Sequence, residues 1–216
     1  MKKLILSFAL ALILASIKLA ESALRFGFGK AVAERSGTII NTSGIVNGTI
    51  ILILPVNSSD ASSVFPYGVP TPDHPTDHPG IDFFCTVRAP VLASASGRVS
   101  SVVASPIAEG SDQKSIGIDH GINYAPFYTG SLQNIQVTVG KQVIQGQKIA
   151  EVKQSKFNSF HWGLRQRDPF KELCPYEYVS ASNKTILEQL NAKANFFNKS
   201  QYPLVCNECN PPGGCK

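Results

Sequence analysis

Apolar and polar positions alternate through the middle of this chain in short runs, each closed by a glycine or a cluster of small residues. Ile81-Asp82-Phe83-Phe84, Pro90-Val91-Leu92-Ala93, Gly97 to Val103, Ser115 to Gly121 and Ala125 to Leu132 are such runs. So are Ile135-Gln136-Val137-Thr138-Val139 and Lys148 to Val152, punctuated by Gly140-Lys141 and Gly146-Gln147. Short strands at this spacing predict a mainly β fold, a compact sandwich or barrel. Asn158-Ser159-Phe160-His161-Trp162-Gly163-Leu164-Arg165 alternates most clearly. It puts Phe160, Trp162 and Leu164 on one face of a strand, and Ser159, His161, Gly163 and Arg165 on the other.

Two further elements flank this region. Upstream, the β-branched runs Thr38-Ile39-Ile40 and Thr49 to Leu54 enclose Asn47-Gly48, a strong hairpin signal. Pro55 to Pro79, rich in Pro, Ser, Asp and Gly, reads as a long loop. Downstream, Thr185-Ile186-Leu187-Glu188 has the form of a capping box. Ile186, Leu187, Leu190, Ala194 and Phe197 recur at helical spacing, so one amphipathic packing helix is expected there.

The first residues change the compartment. Lys2 and Lys3, the apolar stretch Leu4 to Ile17 and the small-residue end Ala20-Glu21-Ser22-Ala23 predict a signal peptide over 1–23. The stretch is short and followed by Lys18, so no stable membrane span is expected after cleavage. The mature chain is expected to be secreted, where disulfides persist. Five cysteines, Cys85, Cys174, Cys206, Cys209 and Cys215, leave at least one free or paired with another chain. Cys206-x-x-Cys209 with Cys215 lacks a nearby fourth ligand, which favours a disulfide-stapled tail over a metal knuckle. Asn41, Asn47, Asn57, Asn183 and Asn198 begin glycosylation sequons, which matter only in a eukaryotic source. The net charge of +5 suits an anionic surface, and the lack of a dense basic run interleaved with aromatics argues against nucleic acid.

The chemistry gathers at His78-Pro79-Gly80-Ile81-Asp82. Fully extended, residues four apart lie roughly 13 Å from one another, too far to share one ion. Pro79 and Gly80 supply a bend. His161, on the polar face of its strand, is the candidate third ligand. A His, Asp and His set with an open fourth position is a catalytic type of zinc site. His74, near Asp73 in the Pro-rich loop, can compete as a ligand but is expected to be an exposed loop residue. Trp162 is expected in the core, and His120, before Gly121, in a structural turn.

His78-x-x-x-Asp82, Ile118-Asp119-His120-Gly121, Val139-Gly140-x-x-Val143-x-x-Gly146-Gln147 and Phe160-His161-Trp162, in that order, resemble the lysostaphin/LytM-type zinc peptidases. The likeness covers residues 64–170. It implies a small antiparallel β core with a metal groove, Zn2+ held by His78, Asp82 and His161, and cleavage of peptidoglycan peptides. That leaves 24–63 as an N-terminal arm with a hairpin and 171–216 as an extension with the helix and the cysteine tail. The resemblance fails at the histidines that assist the metal. Ser159 stands at one of their positions, and Gly130 or Ser131 at the other, depending on where one extra residue is placed. Serine hydrogen-bonds to water but is no general base near neutral pH. Tyr128 and Arg165 are groove candidates; Tyr128 can instead pack, and Arg165 can hold a substrate carboxylate or pair with one of the protein. A non-enzymatic secreted branch of the family also carries a cysteine shortly after the metal aspartate, as Cys85 does here. The expected activity is therefore peptidase-type with impaired or absent hydrolysis. The alternative is a zinc-stabilised module that binds a cell-wall polymer or an extracellular protein. A biotin- or lipoyl-carrier domain, with similar strands, would display a lysine at a hairpin tip, and Lys153 has no such setting.

Overall fold

The structure, a computed structural model, describes residues 45–46, 49–71, 77–104, 113–121, 123–195, 197–202, 204–206, 209–210 and 214–215. The expected signal peptide, the run Thr38-Ile39-Ile40, and Asp73 and His74 lie outside the described residues. No helix among the described residues is long and apolar enough to cross a membrane.

Alternating side chains produce strands wherever one face can be buried. In chain order these are β1 (Ile45–Val46), β2 (Thr49–Ile50), β3 (Ala61–Phe65), β4 (Ile81–Cys85), β5 (Pro90–Leu92), β6 (Gly97–Ala104) and β7 (Lys114–Asp119). Next come β8 (Tyr124–Gly130), β9 (Leu132–Gln133), β10 (Gln142–Val143), β11 (Lys148–Val152), β12 (Ser159–Arg167) and β13 (Phe170–Leu173). The larger sheet runs β10-β6-β7-β8-β12-β4-β3, every neighbouring pair antiparallel, and β13 pairs with the second half of β12. A second antiparallel sheet has the order β5-β11-β9.

Both sheets feed one apolar cluster, in which Ile81, Phe83, Ile116, Tyr128 and Trp162 of the larger sheet meet Val91, Ile149 and Val152 of the smaller. Phe83 stacks on Phe160 at 5.6 Å and lies 6.0 Å from Trp162, ring centre to ring centre. Two polar tips in this core are satisfied by one residue: Trp162 Nε1 donates to Ser94 Oγ (3.2 Å), and the Ser94 backbone N–H donates to the Tyr128 hydroxyl (2.6 Å). Tyr128 is 0% exposed, so it builds the core and does not line a groove. His120 is buried at the end of β7 with Nδ1 on the Ser96 carbonyl, the structural turn expected of it.

Four sequence expectations change here. The expected hairpin has Ile45–Val46 as its first strand, paired antiparallel with Thr49–Ile50, and Asn47-Gly48 lie outside the described residues. Ile135–Val139 is no strand; only Val137 is buried, and Gln136 N–H makes a single bond to the Ile149 carbonyl. The helix α1 spans Ala181–Lys193 and begins at Ser180, whose side chain accepts from Asn183 N–H. Thr185 is therefore not its cap; its hydroxyl donates to the Ala181 carbonyl one turn back. Leu187 and Leu190 bury the helix against β3, while Ala194 and Phe197 lie past its end. Finally, Cys206 is bonded to Cys174, across a separation of 32 residues, rather than within the tail, and Cys85 is a buried free thiol that burial pushes up to about 12. β14 (Cys209–Asn210) and β15 (Gly214–Cys215) pair so that Cys209 faces Cys215 in backbone register.

Trp162 is fully buried and hydrogen-bonded. Trp162→Ala is expected to cost about 3–5 kcal/mol of stability, read by denaturant unfolding.

Candidate metal centre

Strand pairing brings the site together. In the β4–β12 ladder Asp82 lies directly across from His161, so both side chains leave the same face of the sheet. Beneath them, Ile81, Phe83, Phe160 and Trp162 point into the core and hold that register, since a one-residue slip would turn all of them outward. His78 returns to the pair through the Pro79-Gly80 bend. Gly80 is needed because a Cβ there would meet the His161 ring at 2.4 Å and the Trp162 carbonyl at 2.7 Å.

Three donor atoms converge. His161 Nδ1 lies 2.9 Å from Asp82 Oδ1 and 3.0 Å from His78 Nε2, and His78 Nε2 lies 3.2 Å from the same Asp82 oxygen. Four ligands around a tetrahedral ion with bonds of 2.0–2.1 Å sit about 3.3 Å apart. The triangle is close to that size, and three lone pairs this near repel one another unless a proton or a cation lies among them. The donor set fits a zinc-type divalent ion, with a fourth position left to the open side.

Segments remote from the ligands orient them. His78 Nδ1 lies 3.2 Å from the Pro66 carbonyl, which only accepts, so Nδ1 carries the proton and Nε2 presents its lone pair. A metal-bound histidine usually makes such a bond through its other nitrogen. Gly68 N–H donates to the His78 carbonyl at 2.9 Å, and the Phe65 ring packs edge-on to the imidazole at 5.2 Å. None of these partners stands out in the sequence, because a long loop separates them from His78.

The charges are strongly coupled. Burial works against ionisation of Asp82, but His78 and His161 outweigh it and hold the carboxyl well below the usual range. Burial also opposes protonation of His78, and the Asp82 charge, with the bonds to Asp82 and Pro66, offsets this and raises it. Burial lowers His161, and the bond to Asp82 and its charge do not restore it. One imidazole is thus biased toward its neutral, ligating form.

The other sequence candidates are placed less simply. Ser159 lies on β12 two residues before His161, half-buried on the same side. Gly130 cannot carry a catalytic side chain: its φ is +144° and a Cβ would meet the β12 backbone at 3.0 Å. The residue β8 sets across from His161 is Thr129, not Gly130 or Ser131, and Thr129 Oγ1 is 2.9 Å from Ser115 Oγ. Arg165 pairs with Glu172, through Nε and Nη2 to the same Oε1 at 3.1 Å. Its guanidinium also lies 4.0 Å over the Phe127 ring, which in turn lies 5.4 Å from the His161 ring. Phe127 reaches this place because Gly163, its cross-strand partner, has no side chain; a Cβ there would overlap the ring at 2.1 Å. The odd-even pattern of β8 around the buried Tyr128 was the available signal for Phe127 and Thr129.

Residues 76–171 match Peptidase family M23. No curated protein matches the chain significantly. Among solved structures, Helicobacter pylori Csd3 is 21% identical with a TM-score of 0.48, covering 66% of this chain and 40% of that one. The catalytic domain of the prophage-encoded M23 protein EnpA from Enterococcus faecalis is 27% identical, TM-score 0.42, covering 51% of this chain and 85% of that one. The catalytic domain of the antimicrobial peptidase lysostaphin from Staphylococcus simulans is 24% identical, TM-score 0.42, with 50% and 85% covered. The chain therefore spans about two fifths of the length of Csd3 but most of the two catalytic domains. Residues 76–171, a little under half of the chain, thus match peptidase family M23, and His78, Asp82 and His161 all lie inside the matched segment.

Proposed function

We propose that this is a secreted M23-type domain that binds one zinc ion through His78 Nε2, Asp82 and His161 Nδ1 and engages cell-wall peptide with weak or no hydrolysis. The observation that carries the reading is the convergence of three lone-pair donors within 3.2 Å, with the His78 tautomer set by the Pro66 carbonyl. Zinc bound there supplies a Lewis acid for an amide carbonyl and lowers the pKa of a bound water.

The protein's own side chains limit hydrolysis at this site. An amide at the open side would find the hydroxyls of Ser159 and Thr129 flanking His161, and both can donate to or accept from it. Neither can take a proton from water near neutral pH, and general acid–base help is worth about 10²–10⁴-fold. The same shortage favours a second reading, a zinc-stabilised module that binds a cell-wall polymer or an extracellular protein without cleaving it. Peptidoglycan digestion with and without a chelator separates the two: chelator-sensitive cleavage excludes the silent module.

Mature protein is expected to hold zinc one to one by metal analysis. His161→Ala should abolish that binding, and Gly80→Ala, by displacing the His161 ring, should weaken it about 10–100-fold while the chain still melts cooperatively. Because His78 is raised, a proton competes with the metal near neutral pH, so zinc affinity should fall as pH drops from about 7.5 to 5.5 in a chelator competition. Ser159→His should raise peptide hydrolysis above the parent if the groove is otherwise intact. No gain with zinc bound would mean that missing proton transfer is not what limits the site.

A further inference from the structure

The face of the sheet that carries His161 continues into a groove of about 230 Å³, lined by Ser100, Ser101, Ser115, Gly117, Arg165 and Arg167 among others. Its construction is unusual for a plain sheet surface. The register of β6 against β7 shifts between Val99 and Ser101, and this bulge turns both Ser100 and Ser101 toward Gly117. A Cβ at Gly117 would lie 2.6 Å from Ser101 Oγ and 3.1 Å from Ser100 Oγ, so the glycine makes room for the two hydroxyls. Neither hydroxyl has a hydrogen-bond partner among the described residues.

Opposite them stand two guanidiniums. Arg165 is oriented by Glu172 and by the Phe127 ring, and these use only its Nε and Nη2. Arg167 is held by Asp119 through Nη2. A guanidinium has five N–H donors and no acceptor, so each keeps donors for a ligand while its direction is already set. The acids are taken up by these contacts and are not among the residues that line the groove. Beside the apolar groups of Ala125, Pro126, Phe127 and Phe170, what faces the space is a set of donors, two of them cationic, which matches a planar anion with paired oxygens.

We propose that this groove is a carboxylate subsite for a peptide laid across the metal centre. The direction of that peptide rests on the proposed engagement of cell-wall peptide at the metal; recognition of the carboxylate does not. His161, Gly163, Arg165 and Arg167 alternate on one face of β12, and because the Arg165 guanidinium leans back over Phe127, the nearer of the two guanidiniums lies within about 10 Å of the His161 ring. An extended peptide covers that span in about three residues. The preferred ligand is thus a short peptide of small residues with a free carboxylate, terminal or side-chain, about three residues from the amide at the metal.

The test is binding, not cleavage. The full chain is titrated at low salt with an N-terminally fluorescein-labelled Gly/Ala peptide, as the free acid and as the C-terminal amide, and anisotropy is read. The acid should bind about tenfold tighter than the amide. Arg167→Gln should remove that preference by charge, and Gly117→Ala should remove it by displacing the two hydroxyls, with unchanged zinc content and a cooperative melt in either variant. The preference should persist after chelator treatment, because no metal ligand lies in the groove. If it persists in protein that never held zinc, the subsite stands and the metal reading falls. Equal binding of acid and amide, no binding of either, or a preference untouched by both substitutions overturns the subsite. A preference lost on chelation alone also overturns it, since the carboxylate would then be sitting on the metal.

Discussion

The register between β4 and β12 is the constraint on which everything else in this protein depends. Asp82 and His161 are 79 residues apart in the chain, yet the ladder places them directly opposite, on the face where side chains of neighbouring strands come closest. Backbone hydrogen bonds would serve several registers equally, and the apolar reverse face selects this one. Phe83, Phe160, Trp162 and Ile81, on the reverse of the same two strands, are 0–1% exposed, and a slip of one residue would carry them to the surface and the two ligands into the core. The apolar layer therefore stabilises the fold and also positions two charged groups at hydrogen-bond distance. The third ligand is added by a bend, and its orientation is taken over by the Pro66 carbonyl and the Phe65 ring.

Bringing a carboxylate and two imidazoles into this half-buried corner is costly unless charge is balanced. The pull on the titrating groups shows how the balance is met: Asp82 is held ionised, one imidazole is raised and the other lowered. The arrangement amounts to a ready acceptor for one cation, with one bound proton as the alternative. What the surroundings add is poor in groups that move protons. The neighbours of His161 on its own face are hydroxyls, a glycine and the Phe127 ring. Metal affinity and proton handling are supplied by different residues, so one can remain where the other is missing.

Away from the metal the same face changes character. The Phe127 ring fills the space over Gly163, the Arg165 guanidinium caps the ring, and Glu172 anchors the guanidinium from β13. These contacts make one wall of the groove rigid. The bulge in β6, with Gly117 beneath it, makes the other wall polar and open. A peptide entering here would meet a preformed set of donors rather than a flexible surface.

The strands of the β core, the bend at Pro79-Gly80 and the outward face of His161 were legible in the order of residues alone, because each depends on neighbours a few positions away. Alternation along 158–165 sufficed to separate Trp162 in the core from His161 at the site, and the glycine turns sufficed to mark most strand ends. Tertiary structure decided the remainder. Ser180 rather than Thr185 caps α1, its side chain accepting from Asn183 N–H, and Leu187 and Leu190 pack the helix on β3. Ile135–Val139 has strand-like composition but makes a single bond to β11, from Gln136 N–H to the Ile149 carbonyl, and no ladder. Cys174 meets Cys206 because separate segments fold beside one another. Above all, whether Thr129, Gly130 or Ser131 stands next to His161 turns on how β8 registers against β12, and Tyr128 becomes core because Ser94 waits for its hydroxyl. A chain declares its local periods, but pairing between distant strands is chosen by the burial of all their apolar faces at once, and that sum is not written in any one segment.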